Sequence, residues 1–403
     1  MKKWNSFSRI EAALNHEIPD RVPKYEGSIE IKELNPVFDG QATGNGILYL
    51  SSNLVGILSR HPSYLHIVRK ILKYPKFLQP AARIVPRIIS ELPRVYNYDM
   101  FSYTAGIPIV FNDRLLRDFH TEDGDKIIRR RDGRLVWKTS LNGAHTRYGF
   151  MRTPSDWDKY IEFDPDHPGN TFLVKPTIKA CKKLDIVPLM TIYMAASFEE
   201  LCSIFGFETL FKLLIKDKKF IKRIIKEMND YSIIVAQKTV QSGGKYIYIT
   251  CDLGYKGRSI ISPQMFQEFF KLGIKKFCEK VHKEGGKVIL HSCGYVGDLI
   301  SDLVDTGIDA LHPIEKAAGN DIVEIQNMYG KKLTLIGNVP IPLLTHGTPR
   351  ETYNYVKNLI KTVSVNGGHI ISSSHSVTQW CKLKNFLAYY KAVEDFGHYP
   401  INL

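Results

Sequence analysis

The second half of the chain alternates between short apolar runs and longer amphipathic stretches. Six runs have the length of buried strands, and the stretches between them place apolar residues at helical spacing. Such alternation is typical of parallel strands joined by crossover helices. The predicted strands are residues 187–193, 246–252, 287–290, 308–313, 333–337 and 369–373. The predicted helices are residues 207–240, 263–284, 296–306, 322–329 and 349–363.

The first half has a less regular pattern. Residues 6–16 read as a helix, and residues 46–96 carry helical spacing that prolines interrupt, which predicts several short helices. Between residues 121 and 139, two Asp-Gly turns and flanking β-forming runs predict a hairpin. This half could supply two further strands. We therefore predict an α/β fold, a single (β/α)8 TIM barrel over residues 1–403 with a basic helical insertion or lid at 40–110.

A doubly wound sheet is the alternative architecture. We favour the barrel because no glycine-rich phosphate loop follows any predicted strand. The 403 residues and a hydrophobic content of 44% allow a large core. Six scattered cysteines form no disulfide framework, and the N-terminus lacks a secretory apolar run. These features predict a cytoplasmic protein.

The net charge of +14 is concentrated in one segment. Residues 60–94 hold eight basic residues and one acidic residue, so their net charge of +7 is half of the total of +14. A solvated helical lid, a peripheral membrane contact and a docking surface for an acidic protein are three interpretations of this segment. Nucleic-acid binding is disfavoured because no recognised motif accompanies the charge.

Candidate chemistry lies where predicted strands end, which is where barrels carry their active sites. His291 and Cys293 follow one strand and, being two residues apart, point to the same side. This pair suits zinc, and His375 follows another strand as a third ligand, leaving one position open. Asp252 or Glu315 could be a fourth ligand or could orient an imidazole. A helix cap for Asp252, a solvated Glu315 and a Cys293 nucleophile remain alternatives.

Several motifs resemble the uroporphyrinogen decarboxylase superfamily. The resemblance covers residues 5–25 and about 120–400. It rests on Arg9-Ile10-Glu11-Ala12-Ala13-Leu14-Asn15-His16, Pro19-Asp20-Arg21-Val22-Pro23, Cys251-Asp252-Leu253-Gly254-Tyr255, His291-Ser292-Cys293-Gly294, Gly337-Asn338-Val339 and Ser373-Ser374-His375-Ser376.

Within that superfamily, the His-x-Cys-Gly motif looks like the corrinoid-linked methyltransferase branch. The decarboxylase proper lacks this motif and has an arginine-rich substrate loop where this chain has Glu26 and Glu30. The resemblance implies a zinc held by His291, Cys293 and a third ligand, which is cysteine in the thiol methyltransferases and His375 here. An imidazole in place of a thiolate leaves a more Lewis-acidic metal.

The resemblance further implies how the site is used. Asp252 and Glu315 are expected to orient the substrate or tune the ligands, and Asn338 to contact a cofactor. We predict transfer of a methyl group between a small methoxy or methylamine-type substrate and a corrinoid on a separate protein, since the chain lacks the Asp-x-His-x-x-Gly cobalamin motif.

Three alternatives remain open from the sequence. They are a thiol methyltransferase that uses a methylcorrinoid, a tetrapyrrole decarboxylase, and a non-catalytic corrinoid- or membrane-binding relative. A corrinoid protein is one example of the acidic partner that the docking interpretation of the basic segment 60–94 requires. A homodimer is compatible with the sequence.

Overall fold

The computed structural model describes residues 3–27, 29, 31, 97–106, 149, 151–193, 195 and 198–402, together with three short strands between residues 119 and 138. The basic segment 60–94 and most of the predicted insertion 40–110 lie outside these residues. Among the helices that are described, none combines the length and apolar character that crossing a bilayer requires.

Eight parallel strands pair in consecutive order and form the predicted barrel. The sheet closes where Lys24 bridges to Ile371, whose N–H donates to the carbonyl of Pro23 at 2.9 Å. The strands are β1 (Tyr25–Glu26), β2 (Met100–Thr104), β3 (Val187–Thr191), β4 (Tyr246–Thr250), β5 (Lys287–His291), β6 (Ala310–His312), β7 (Thr334–Val339) and β8 (His369–Ser373). All six strands predicted in the second half are therefore present, with small differences at their ends.

The two strands of the first half were not located from the sequence. β2 falls inside the range 40–110, so this part of the predicted insertion belongs to the barrel instead. The predicted hairpin is confirmed and is part of a three-stranded antiparallel sheet. Its strands are Phe119–Glu122, Ile127–Arg130 and Leu135–Lys138.

Helices follow the strands as predicted, with one correction. The predicted helix 207–240 is two helices because Asp217 has non-helical dihedral angles and its carboxylate accepts from the N–H of Phe220 at 3.1 Å, capping the second. The α-helices are Ser6–Leu14, Pro154–Tyr160, Val174–Leu184, Phe198–Phe205, Phe207–Lys216, Lys218–Gln241, Pro263–Met265, Leu272–Lys283, Ile300–Asp305, Ile322–Tyr329, Ile341–His346, Pro349–Leu359 and Leu383–Phe396. Shorter 3-10 turns are Pro168–Asn170, Gly297–Leu299 and Lys316–Ala318, and π-helical turns are Phe266–Lys271 and Ile360–Ser364.

Alternate residues of the strands fill the inside of the barrel. Val187, Leu189, Ile289, Ile336 and Ile370 belong to one buried cluster there, and the helix Ser6–Leu14 packs on the same cluster. A larger cluster lies between the strands and the surrounding helices. The interior of the barrel is largely apolar. Polar side chains that could act on a ligand are therefore expected at the carboxyl ends of the strands, where the barrel opens to solvent.

Glu26 joins the two strands at which the barrel closes. Its carboxylate accepts from the N–H of Ser373 at 2.8 Å and from the hydroxyl of Tyr389 at 3.2 Å. The side chain is 1% exposed, and burial raises its pKa to about 8. The resemblance implied that Glu26 lies in the stretch that corresponds to the substrate loop of the decarboxylase proper. The structure instead places it in a buried contact between β1 and β8.

The Glu26 carboxyl predicts a pH-dependent stability. The unfolded chain releases this proton near its ordinary pKa of 4.5, whereas the folded protein keeps it to about pH 8. The folded state therefore binds more protons between these values, and the free energy of unfolding should fall as pH rises through this window. Glu26→Gln should flatten that fall, measured by urea unfolding at several pH values. Equal slopes for both proteins would refute the prediction.

Candidate metal centre

Three neighbouring strands end at the same level and bring their terminal residues together. In the register of the sheet, His291 at the end of β5 pairs with Thr250 of β4 and with His312 of β6. His291 lies two residues after Ile289, so it points to the barrel interior. The next two residues carry the chain out over the rim, which places Cys293 above His291.

A nitrogen, a sulfur and an oxygen ligand meet at this rim. His291 Nε2 lies 3.1 Å from Cys293 Sγ and 3.5 Å from Asp252 Oδ1. Ligand atoms of these three residues all lie within 4.8 Å of one another. The two residues that the sequence singled out first are therefore adjacent, and Asp252 is the third member of the group.

Two glycines let the Cys293 loop pack tightly on the loop after β4. A Cβ on Gly254 would lie 2.4 Å from the carbonyl carbon of Gly294, and Gly294 itself has a φ of 78°. The backbone N–H of Cys293 donates to Asp252 Oδ1 at 2.9 Å, and that of Gly294 donates to Glu315 Oε2 at 3.0 Å. These contacts fix the height and direction of the Cys293 side chain.

Below the rim, His291 is held from inside the barrel. Its Nδ1 lies 2.8 Å from the hydroxyl of Tyr248 and 2.7 Å from Nδ1 of His312. The Tyr248 hydroxyl is also 3.0 Å from His312 Nδ1. Since Nδ1 is engaged on this side, Nε2 is the nitrogen directed towards Cys293.

The charges around Cys293 disfavour a free thiolate. Burial raises the pKa of its thiol, and the nearby carboxylates of Asp252, Glu315 and Glu199 raise it further. Burial, opposed by Asp252, lowers the pKa of the His291 imidazole. A divalent cation would offset the repulsion between the thiolate and the carboxylates.

A cavity of about 400 Å³ opens above this group. Glu199, Asp252 and Glu315 supply carboxylates to its wall, and Lys256 supplies the opposing charge. Apolar and aromatic residues complete the wall, among them Phe198, Phe207, Tyr255 and Ile260. The cavity wall therefore combines carboxylates near Cys293 with apolar and aromatic side chains.

The donor set fits zinc. Imidazole nitrogen, thiolate sulfur and carboxylate oxygen are all ligands that this metal accepts, and three protein ligands with one open position are typical of catalytic zinc sites. The excess of negative charge around Cys293 is the second sign that these residues suit a cation. We refer to Asp252, His291 and Cys293 as the candidate metal centre.

Comparison with known proteins identifies the family of the chain. A family model for uroporphyrinogen decarboxylase (URO-D) matches residues 142–396. The protein belongs to the URO-D family. This confirms the resemblance that the motifs predicted.

Individual proteins similar to this URO-D protein are methyltransferases by name. Two methylcobamide:CoM methyltransferases MtaA, from Methanosarcina barkeri and from its strain Fusaro / DSM 804, are 25% and 24% identical over 198 residues. Each alignment covers 47% of this chain and 56% of the relative, so the chain spans about half the length of the curated relatives it matches. A solved methyltransferase from Methanosarcina mazei has the same fold, with a TM-score of 0.59 and 18% identity over 98% of this chain and 99% of that one.

Two other residues predicted for the site of this URO-D protein, His375 and Asn338, differ in their exposure to solvent. His375 is exposed at the cavity wall, outside the group of three ligand atoms that meet within 4.8 Å. Asn338 is fully buried within β7; its amide donates to the carbonyl of Ile314 at 3.0 Å, and its oxygen accepts from the hydroxyl of Tyr355 at 3.2 Å. Metal binding by His375 and cofactor binding by Asn338 remain predictions.

Three residues of the site were missed or undervalued in the sequence. Glu199 follows β3 at the start of the helix Phe198–Phe205, and the rule that strand ends carry function could have found it. His312 ends β6 and contacts His291 directly, a contact that the sequence alone does not predict. Tyr248 lies inside an apolar strand, and only the register of β4 against β5 shows its role.

Proposed function

We propose that this URO-D protein is a zinc-dependent methyltransferase. It would move a methyl group between a small methoxy or methylamine-type substrate and a corrinoid carried by a separate protein. The observation that carries the proposal is the group of Asp252, His291 and Cys293 at the floor of an acidic cavity on the catalytic rim of the barrel. The methyltransferase names of the two relatives support it.

The residues of the cavity define what each would contribute. His291, Cys293 and Asp252 hold the metal, and His375 stands at the cavity wall as a further ligand. Zinc bound there supplies Lewis acidity next to the heteroatom that carries the methyl group. Glu315 and the ionised fraction of Glu199, whose pKa burial and Asp252 raise to about 7, favour a neutral or cationic substrate over an anionic one.

Methyl transfer would replace the bond between the methyl carbon and the heteroatom with a bond to cobalt. An electron pair of the reduced corrinoid cobalt would form the new bond to carbon. The pair of the broken carbon–oxygen or carbon–nitrogen bond would stay on the heteroatom, which would take up a proton. The apolar wall that contains Phe198, Phe207 and Ile260 keeps water from the carbon during this step.

Transfer to a thiol is the second candidate, and the name of the relatives favours it. The described metal centre has a single sulfur, and three carboxylates line the cavity into which a thiolate would have to enter. Repulsion between these carboxylates and a thiolate in the same cavity disfavours an anionic acceptor. The same argument disfavours a porphyrinogen with several carboxylates.

Methyl transfer assays with free cobalamin test the proposal. We expect purified zinc-loaded protein to form methylcobalamin from cob(I)alamin and a panel of methoxy and methylamine compounds, followed by absorbance. Turnover of methylcobalamin with thiols, and none with this panel, would establish the second candidate instead. Decarboxylation of a porphyrinogen by metal-free protein would overturn both.

A further inference from the structure

Three polar atoms inside the barrel form a closed triangle directly under the metal centre. Tyr248 Oη, His291 Nδ1 and His312 Nδ1 are 2.7 to 3.0 Å apart in every pair. Both Tyr248 and His312 are buried, and the edge of the Tyr25 ring packs against His312 at a centroid distance of 5.2 Å. The two imidazoles therefore have little freedom to turn away from each other.

Counting protons limits the states of this triangle. Two Nδ1–H groups could not face each other at 2.7 Å, and two bare lone pairs at that distance would also repel. One Nδ1 therefore carries a proton and the other accepts it. A tyrosine hydroxyl can donate or accept, so Tyr248 is compatible with either choice.

The two choices differ at the metal centre. When His312 Nδ1 carries the proton, His291 is protonated at Nε2, and that N–H points at Cys293 Sγ, 3.1 Å away, and Asp252 Oδ1, 3.5 Å away. When His291 Nδ1 carries the proton, His291 Nε2 presents its lone pair to the same place. Only the second arrangement can bind a metal through Nε2.

We propose that His312 is a positioning residue whose Nδ1 lone pair holds the proton of His291 on Nδ1 and thereby leaves Nε2 free for the metal. The inference rests on the proposed zinc site. Metal-binding histidines usually donate their second N–H to a carboxylate, a carbonyl or water. Here another imidazole takes that place, and it must adopt the complementary tautomer.

Metal binding is then linked to a tautomer exchange with no net change of charge in the pair. The proton on His291 Nε2 leaves to solvent, and the proton between the two Nδ1 atoms moves from His312 to His291. His312 takes up one proton at its own Nε2. In this proposal the metal-free protein has the first arrangement, in which the His291 Nε2–H points at Cys293 Sγ, 3.1 Å away.

Substitutions of His312 test whether its Nδ1 lone pair, as acceptor of the His291 Nδ1–H, supports zinc binding. His312→Asn keeps an oxygen near the position of Nδ1, whereas His312→Phe keeps a ring of similar size without an acceptor. Zinc affinity of the full-length chain, measured in competition with a chromogenic chelator, should fall by about 10- to 100-fold in His312→Phe. His312→Asn should restore most of it. Tyr248→Phe should have the smaller effect, because Tyr248 does not select the tautomer.

Nitrogen-15 NMR of histidine-labelled protein gives a readout that a loss of packing would not produce. On addition of zinc to wild-type protein, the His312 signals should exchange from a protonated Nδ1 to a protonated Nε2. The NMR measurement uses wild-type protein, so it tests the inference even if His312→Phe is too unstable for a zinc titration. Unchanged His312 signals, or equal zinc affinity in wild type and His312→Phe, would overturn the inference while leaving the zinc site intact. A wild-type protein that binds no zinc would overturn both.

Discussion

Replacing Cys293 with alanine should abolish zinc binding and methyl transfer together. Cys293 is the only sulfur among the three described residues whose ligand atoms meet within 4.8 Å, so two donors would remain in that group. Loss of an outer contact to a metal ligand already costs up to about 100-fold in affinity, and loss of the ligand itself should cost more. Metal analysis after dialysis against a weak chelator measures the effect.

A second cysteine provides the matched control. Cys278 is also a free cysteine; it is buried, whereas Cys293 is half-buried, and it lies in the helix Leu272–Lys283 on the outer layer of the barrel. Cys278→Ala should keep the zinc content and the transfer rate of the wild type, with a modest loss of stability from the vacated volume. Zinc retained by the Cys293 variant, or lost equally from both variants, would contradict the assignment.

The fold was predictable where burial on both faces leaves a continuous apolar run. β3, β4, β5, β7 and β8 are such strands, because a barrel strand faces the interior on one side and helices on the other. β1 has two residues and no apolar run of its own. β2 mixes polar and apolar side chains, and it follows a long segment of helical spacing that obscured it.

The site was predictable only as far as local rules reach. His291 and Cys293 follow from the alternation of one strand, and Asp252 from its place after another. The contact of His291 with His312 and Tyr248 depends on the register of three strands that are distant in sequence. Asn338 shows the converse: the sequence predicted a strand that ends at Gly337, but β7 continues to Val339, so Asn338 is inside the strand and buried.

Among the described residues outside the candidate metal centre, Asp99 should be costly to neutralise. It lies just before β2, is fully buried, and accepts hydrogen bonds from side chains or backbone of four residues. Arg21 contacts it through both terminal nitrogens at 2.7 and 3.0 Å, and Arg9 at 3.2 Å. The hydroxyl of Ser6 and the N–H of Lys24 complete the set at 3.1 and 3.0 Å.

Asp99→Asn should therefore reduce the free energy of unfolding by about 3–5 kcal/mol, the usual cost of removing one partner from a buried ion pair. The substitution removes the carboxylate that pairs with Arg21, leaves Arg9 paired with Asp20, and turns an amide N–H₂ towards other donors. Because the residue is at the amino-terminal end of the barrel, zinc content per folded molecule should not change. Urea unfolding followed by circular dichroism measures the loss.

A control variant in an exposed ion pair shows whether the loss of stability in Asp99→Asn comes from burial or from the change of charge alone. Asp230 contacts Lys226 on the outer surface of the helix Lys218–Gln241, and both side chains are largely exposed. Asp230→Asn removes the same charge, yet it should leave the unfolding midpoint unchanged, because water replaces the lost contact. If both variants shift the midpoint equally, net charge rather than the buried network around Asp99 stabilises the barrel. If Asp99→Asn also loses zinc, the network acts on the metal centre as well, and the division of roles between the two ends of the barrel is wrong.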